Sequence, residues 1–113
     1  MIDLNKISAS ALNIAKARKV DEVDKPGGTV RMLKHCAGEV VEAADAYREY
    51  VNTLECVEDE DERALVSVRP FALELADVVM CCLIMAELNG VDMERALLEC
   101  VDKNESRVGR VGK

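Results

Sequence analysis

The sequence has few aromatic residues and no long apolar segment. Of its 113 residues none is tryptophan, two are tyrosine and one is phenylalanine. Its longest apolar run, from Val78 to Ala86, is far shorter than the roughly 20 residues that a membrane-spanning helix needs. The pattern therefore predicts a chain without a membrane span.

Basic residues are outnumbered, and histidine occurs once. Fifteen Lys and Arg stand against 22 Asp and Glu, which gives a formal net charge of −7. This charge repels a polyphosphate chain and argues against binding to nucleic-acid polymers or anionic membranes. A single nucleotide held through a cation is still compatible with it. The lone histidine, His35, is predicted to be structural.

Cysteine is present, but not in the spacing of a zinc or redox motif. The five cysteines are an odd number and contain no C-x-x-C pair. The first residues, Met1 to Lys6, lack the apolar segment of a secretory signal. We therefore expect free thiols in a reducing cytoplasm.

The remaining composition favours helices. Val, Leu, Ala, Ile, Met and Cys form the apolar half, and Glu, Lys and Arg are abundant, which suits α-helices better than sheets. We predict one all-α domain over residues 1–113, divided into an N-terminal helix and linker (1–28), a motif-bearing core (29–107) and a frayed tail (108–113). The helices are predicted at about 4–20, 30–54, 71–88 and 93–105, with Thr29 and Asp92 as N-caps.

Helical periodicity predicts which side chains form the core. On the second helix we expect an inward stripe of Val30, Leu33, Ala37, Val40, Val41, Ala44 and Val51, and on the last helix one of Ala96, Leu97, Cys100 and Val101. The helix at 71–88 is apolar on nearly every side. A chain this small does not bury such a helix alone, so we expect a partner subunit to cover it.

Two acidic pairs stand out on the two central helices. Glu39 and Glu42 are three residues apart, as are Glu74 and Asp77, so each pair shares one helix face. A lone pair of this kind is typical of a solvated face. Both pairs, however, lie on stripes shared with apolar residues, and packing of the two helices would bring four carboxylates together.

Such a cluster is costly without a counter-charge. At a separation of about 6 Å and an effective dielectric near 20, each like-charged pair costs roughly 3 kcal/mol. Convergence therefore requires protonation or a bound cation. A set of carboxylate ligands without His or Cys at useful spacing suits Mg²⁺ or Mn²⁺ better than zinc.

These residues resemble a known family. Glu39-x-x-Glu42, Glu74-x-x-Asp77 and then Lys103-Asn104-x-x-Arg107 are similar to the motifs of the MazG-like all-α nucleoside triphosphate pyrophosphohydrolases. The match extends from about Leu33 to Arg107, roughly two-thirds of the chain.

The resemblance implies a fold, a reaction and a set of roles. The fold would be a bundle of four to five helices completed by oligomerisation as a homodimer or homotetramer. The enzyme would cleave a nucleoside triphosphate between the α and β phosphates, giving the monophosphate and pyrophosphate. By analogy Glu39, Glu42, Glu74 and Asp77 would hold Mg²⁺, with Mn²⁺ as a substitute, and Glu42 or Glu39 would also orient the attacking water. Phosphate contacts would come from Lys34, Lys103, Asn104 and Arg107.

Two alternatives remain open. Lys34-His35-x-x-Gly38-Glu39-x-x-Glu42 also resembles the first motif of phosphoribosyl-ATP pyrophosphatase, and Glu74-Leu-Ala-Asp77-Val78 its second. The Lys-Asn-x-x-Arg ending favours the MazG-like family. The second alternative is a helical interaction protein without enzymatic activity, whose acidic faces are only solvated.

Overall fold

The protein is all-helical, as its composition predicts. The computed structural model describes residues 2–111 of the backbone, and side chains through residue 108. This part of the chain contains no β-strand, and none of its helices is long and apolar enough to cross a membrane. The elements are α1 (Leu4–Ala17), a short 3₁₀ helix (Val20–Glu22), α2 (Gly28–Cys56), α3 (Glu60–Ala64), α4 (Arg69–Leu88) and α5 (Met93–Val111).

Local capping explains where most of the helices begin. Asp3 accepts hydrogen bonds from the backbone N–H groups of Asn5 and Lys6 at the start of α1. Asp92 accepts one from the N–H of Arg95, as predicted for the last helix. Pro70 lies in the first turn of α4, where its missing N–H removes no helical hydrogen bond.

Other helix ends differ from the predictions. The N-cap prediction for Thr29 is wrong, because α2 already begins at Gly28 after Gly27, whose φ of 82° is left-handed. A short exposed helix that is not among the predicted ones, α3, contains Glu60, Asp61 and Glu62 of the acidic block 58–62. The tail was expected to fray from Val108, but α5 continues to Val111, and residues 112–113 lie outside the described part.

The buried core lies where α1, α2 and α4 meet. α2 packs along α4, α1 packs on another side of α4, and the 3₁₀ segment closes the end of the cluster. The residues that share this core are Ala11, Leu12, Ala15, Val23, Met32, Cys81 and Ile84.

The predicted inward stripe of α2 is wrong for the single chain. Val30, Leu33 and Val41 are each more than half exposed, and the buried positions of α2 are Gly28, Met32 and Ala43. The reason is that α2 carries apolar residues on two faces, and only one of them packs on α4. The predicted inward residues of α5 are also mostly exposed, namely Leu97, Cys100 and Val101.

The chain is more open than a self-sufficient domain of its size. Its accessible surface is 8520 Å², whereas a compact monomer of 12.4 kDa is expected to expose about 6,100 Å². Its radius of gyration is 18.0 Å, against about 13 Å for a compact domain of this length. Much apolar surface is therefore left uncovered by the chain itself.

Candidate metal centre

Three of the four predicted acidic residues come together between α2 and α4. One carboxylate oxygen each from Glu39, Glu74 and Asp77 lies within 4.8 Å of the others. Two oxygens on opposite sides of a Mg²⁺ ion lie about 4.2 Å apart, twice the usual bond length of about 2.1 Å. Small side-chain adjustments therefore bring these oxygens to the spacing of a shared divalent ion.

Two of these three residues, Glu39 and Glu74, are partly buried, whereas Asp77 is exposed. The side chain of Glu39 is 17% exposed, and Oε2 of Glu39 and Oε2 of Glu74 are buried without a hydrogen-bond partner. Loss of solvent raises the pKa of Glu39, and the negative charges of Glu42 and Asp77 raise it further. Buried oxygens that lack donors and repel one another fit a cation. The residues present therefore fit a divalent-metal site built from hard oxygen ligands.

Glu42 lies beside Glu39 but outside this group of three. It is exposed and does not belong to the group of three, although its charge affects Glu39. One turn beyond Glu39, it lies at the solvent edge of the α2–α4 contact. Its roles as metal ligand and as water-orienting base stay predictions.

The predicted phosphate-binding residues are not gathered around the acidic trio. Lys34, Lys103, Asn104 and Arg107 are all exposed, and none of them lines the cavity beside the trio. α5 packs chiefly on α1, where Asn5 Nδ2 donates to Asp92 Oδ1 over 3.1 Å. Their roles likewise stay predictions.

His35 connects the trio to the loop before α2. Its Nε2 lies 3.1 Å from Oε1 of Glu39 in a hydrogen bond, and its Nδ1 lies 2.8 Å from Oδ2 of Asp21. The contact with Asp21 is short but poorly aligned, since that oxygen makes no hydrogen bond of good geometry. The histidine that the sequence predicted to be structural is thus in direct contact with the candidate centre.

The loop that presents Asp21 has an unusual backbone. Lys19, Asp21 and Glu22 have φ values of 54°, 50° and 49°, a region that side chains with a Cβ seldom adopt. The guanidinium of Arg31 holds this conformation by donating to the backbone carbonyls of Asp21 (2.6 Å), Glu22 (2.7 Å) and Pro26 (3.0 Å).

A cavity of about 380 Å³ opens beside the trio, between α1, α2 and α4. Glu39, Asp77 and His35 lie in its wall together with the cationic side chain of Arg18. The other walls are apolar, formed by Ala11, Ile14, Ala15, Val20, Met32, Met80, Cys81 and Ile84. The cavity is thus lined by carboxylates, one cationic side chain and apolar side chains.

Sequence reasoning missed Arg18, Asp21 and Arg31. Arg18 follows Ala11 and Ala15 at helical spacing, so the stripe of α1 does indicate that it points toward the core side. Asp21 gives no such signal, because its position depends on left-handed backbone that the sequence does not predict.

A second cavity, of about 540 Å³, lies further along the α2–α4 contact. Tyr50 and Phe71 line it, and the ring centroids of Tyr47 and Phe71 are 5.1 Å apart. All three aromatic residues thus pack near this end of the helices. None of the trio lines this cavity.

The thiols near the trio are shielded. All five cysteines are free. Burial raises the pKa of Cys81 to about 12, and the nearby Cys36 on α2 adds to the shift. Cys81 is therefore protonated at neutral pH and fills space in the core, as free cysteine commonly does.

No protein-family model, curated protein or solved structure matches this chain. The resemblance to the pyrophosphohydrolases rests on the motif residues and their spacing.

Proposed function

We propose that the protein is a Mg²⁺-dependent nucleoside triphosphate pyrophosphohydrolase, which cleaves between the α and β phosphates. The observation that supports this most strongly is the convergence of Glu39, Glu74 and Asp77, in which Oε2 of Glu39 and Oε2 of Glu74 are buried without a hydrogen-bond donor. An all-helical frame that brings the two acidic motifs together agrees with the resemblance.

In this proposal the trio binds the divalent ion, and Mn²⁺ can replace Mg²⁺. When bound, the ion neutralises phosphate charge and lowers the pKa of coordinated water. Glu42 lies at the solvent edge of the trio, a position from which a carboxylate can accept the proton of an attacking water. Exposure to solvent gives it access to that water without opening the core.

The substrate is assigned to the cavity that shares residues with the trio. Because Glu39 and Asp77 line the 380 Å³ cavity, phosphates at the acidic residues place the nucleoside among its apolar side chains. Arg18 then donates hydrogen bonds to a phosphate that the metal does not neutralise. The apolar walls provide few groups for reading a base edge, so we expect weak discrimination among bases.

The active assembly is proposed to be a homodimer or homotetramer. The exposed stripe of α2 includes Val30, Leu33, Val40 and Val41, and α4 exposes Leu75 and Val79. The excess surface of roughly 2,400 Å² over a compact monomer is in the range that an obligate interface covers. A second copy is the proposed occupant of these faces, and it would complete the helical bundle. Association with a second copy is also the way in which the predicted phosphate contacts would come close to bound phosphates, namely Lys34, Lys103, Asn104 and Arg107.

The deciding experiment is an assay of products. The protein is incubated with each common nucleoside triphosphate and with phosphoribosyl-ATP, in Mg²⁺ or in chelator, and monophosphate and pyrophosphate are separated by chromatography. We expect both products from several triphosphates in Mg²⁺ only. Glu74→Gln should lower kcat by at least about 100-fold, since one metal ligand is lost. Glu55→Gln, at an exposed position of the same charge type near the end of α2, should have no effect.

The outcomes separate the candidate functions. Turnover confined to phosphoribosyl-ATP would favour the hypothesis that the protein is a phosphoribosyl-ATP pyrophosphatase. Release of inorganic phosphate in place of pyrophosphate would contradict cleavage between the α and β phosphates. If no substrate is consumed and Glu74→Gln behaves like the parent in metal binding, the non-enzymatic interaction protein becomes the better account.

A further inference from the structure

We propose that His35 is a positioning residue, which fixes one oxygen of Glu39 so that the other is directed to the cation. The inference depends on the proposed metal centre and adds to it a role for a residue outside the acidic motifs. The hydrogen bond from His35 Nε2 occupies Oε1 of Glu39 at 3.1 Å. Oε2 of the same carboxylate is buried without a partner and is thus the oxygen left for a metal.

The imidazole ring is held from both sides. Nδ1 lies 2.8 Å from the Asp21 carboxylate, on the opposite edge of the ring from Glu39. A rotation of the ring would separate both pairs of atoms, so the negative charge of Asp21 favours the orientation in which Nε2 meets Glu39, although this contact is not a well-aligned hydrogen bond. Outer residues of this kind orient metal ligands in many proteins, and their removal typically weakens metal binding 10- to 100-fold.

The loop that carries Asp21 has a restrained left-handed backbone. Lys19, Asp21 and Glu22 have left-handed backbone, a conformation that residues with a Cβ seldom adopt because of steric crowding. Such a conformation persists only when the surroundings determine it. Arg31 supplies that restraint with three donors to loop carbonyls. Because Arg31 and His35 are one turn apart on α2, the same helix secures the loop and receives its carboxylate.

Other ion pairs in the described part of the chain are exposed to solvent and do not involve the acidic trio. The pair Arg48–Asp45 is exposed, with side chains 71% and 61% accessible, as is Arg95–Glu99. Exposed pairs of this kind contribute little. Among the described ion pairs, His35–Glu39 is the one whose acid also belongs to the trio.

The test is a titration of Mn²⁺ on the full-length chain at one fixed pH, with free Mn²⁺ followed by electron paramagnetic resonance. His35→Ala should raise the Kd for Mn²⁺ about tenfold or more. His35→Gln should recover most of that loss, because its amide N–H can donate to Glu39. Asp21→Asn should have an intermediate effect, since it keeps the oxygen but removes the charge. Arg48→Ala, an exposed change on the same helix, should match the parent.

Circular dichroism checks that each variant is folded before titration. If His35→Ala does not fold, Asp21→Asn decides: a raised Kd for Mn²⁺ supports the positioning role, and a Kd equal to the parent's overturns it. A Kd unchanged in His35→Ala, or a Gln variant no better than the Ala variant, would overturn the positioning role while the metal centre stands. A parent that binds no Mn²⁺ at millimolar concentration would instead refute the metal centre, and the positioning role with it.

Discussion

Neighbouring groups act on the pKa of Glu39 in both directions, and a bound cation would favour its ionised form. Burial and the neighbouring acids Glu42 and Asp77 raise its pKa, and the His35 contact acts in the opposite direction. Without a cation, the ionised form is therefore disfavoured in the folded chain relative to the unfolded one. The stability associated with a raised carboxyl pKa is complete below the ordinary value of 4.5 and is lost as the pH rises through the folded-state pKa.

Because the pKa of Glu39 is raised, Glu39→Gln should change stability in a pH-dependent way. In chelator at pH 7 the variant should be more stable than the parent, because it removes a buried charge, and the difference should disappear at a pH below the ordinary pKa of Glu. Roughly 1 kcal/mol would appear as about 4 °C in Tm. Thermal melts over a pH series measure it. With millimolar Mn²⁺ the order should reverse, since only the parent gains from binding. A parent that is more stable in chelator at pH 7 would contradict this account of Glu39.

Arg18 is expected to contact a phosphate of the bound substrate. It is the cationic residue in the wall of the cavity that Glu39 and Asp77 share. Arg18→Ala should raise the KM for nucleoside triphosphate about tenfold with a smaller change in kcat, because a phosphate contact is lost from bound substrate. Lys16→Ala, at an exposed position in the last turn of α1, is the matched control. Equal kinetics for the two variants would remove Arg18 from the site.

Helix α2 contains two glycines, Gly28 and Gly38, of which only the second has room for a side chain. A Cβ at Gly28 would collide with the backbone carbonyl of Val23, whereas a Cβ at Gly38 meets nothing within 4 Å. Close approach at Gly28 lets the loop before α2 lie against the helix start.

We therefore predict opposite signs for the same substitution in one helix. Gly28→Ala should destabilise the protein by roughly 2 kcal/mol or more, as steric strain outweighs the gain in helix propensity. Gly38→Ala should stabilise it by about 0.5–1 kcal/mol. Chemical denaturation at one protein concentration compares them. Equal effects of the two changes would show that the loop does not contact the helix start as described.

The elements also show what the sequence can and cannot predict. The four long helices follow from their periodicity and, for α4, from Pro70 in its first turn, and three of the four acids converge because helix spacing aligns them. The buried side of α2 could not be predicted, since Leu33 and Val40 continue one apolar face while Met32 and Ala43 occupy another. Nor could the Asp21 contact, because nothing in Lys19 to Glu22 indicates left-handed backbone.

The single chain is less compact than expected for a domain of its length. Its radius of gyration is 18.0 Å, and an apolar stripe on α2 is exposed to solvent in the single chain. Self-association through these faces would bury them and would complete the bundle that the motifs imply.

Leu33→Asp tests this assembly. Leu33 is 56% exposed in the single chain, so the substitution is tolerated by a monomer but places a charge inside an interface. We expect the parent to sediment as a dimer or tetramer and the variant to dissociate at least tenfold more readily. Asn52→Asp, at an exposed position of the same helix, should keep the parent's oligomeric state. A monomeric parent would exclude the assembly.

The central claim is that Glu39, Glu74 and Asp77 share one divalent ion. Anomalous X-ray diffraction from crystals grown with Mn²⁺ tests it most directly. We predict one strong peak about 2.2 Å from an oxygen of each of the three side chains. Three ordered carboxylates with no peak among them at millimolar Mn²⁺ would contradict the claim.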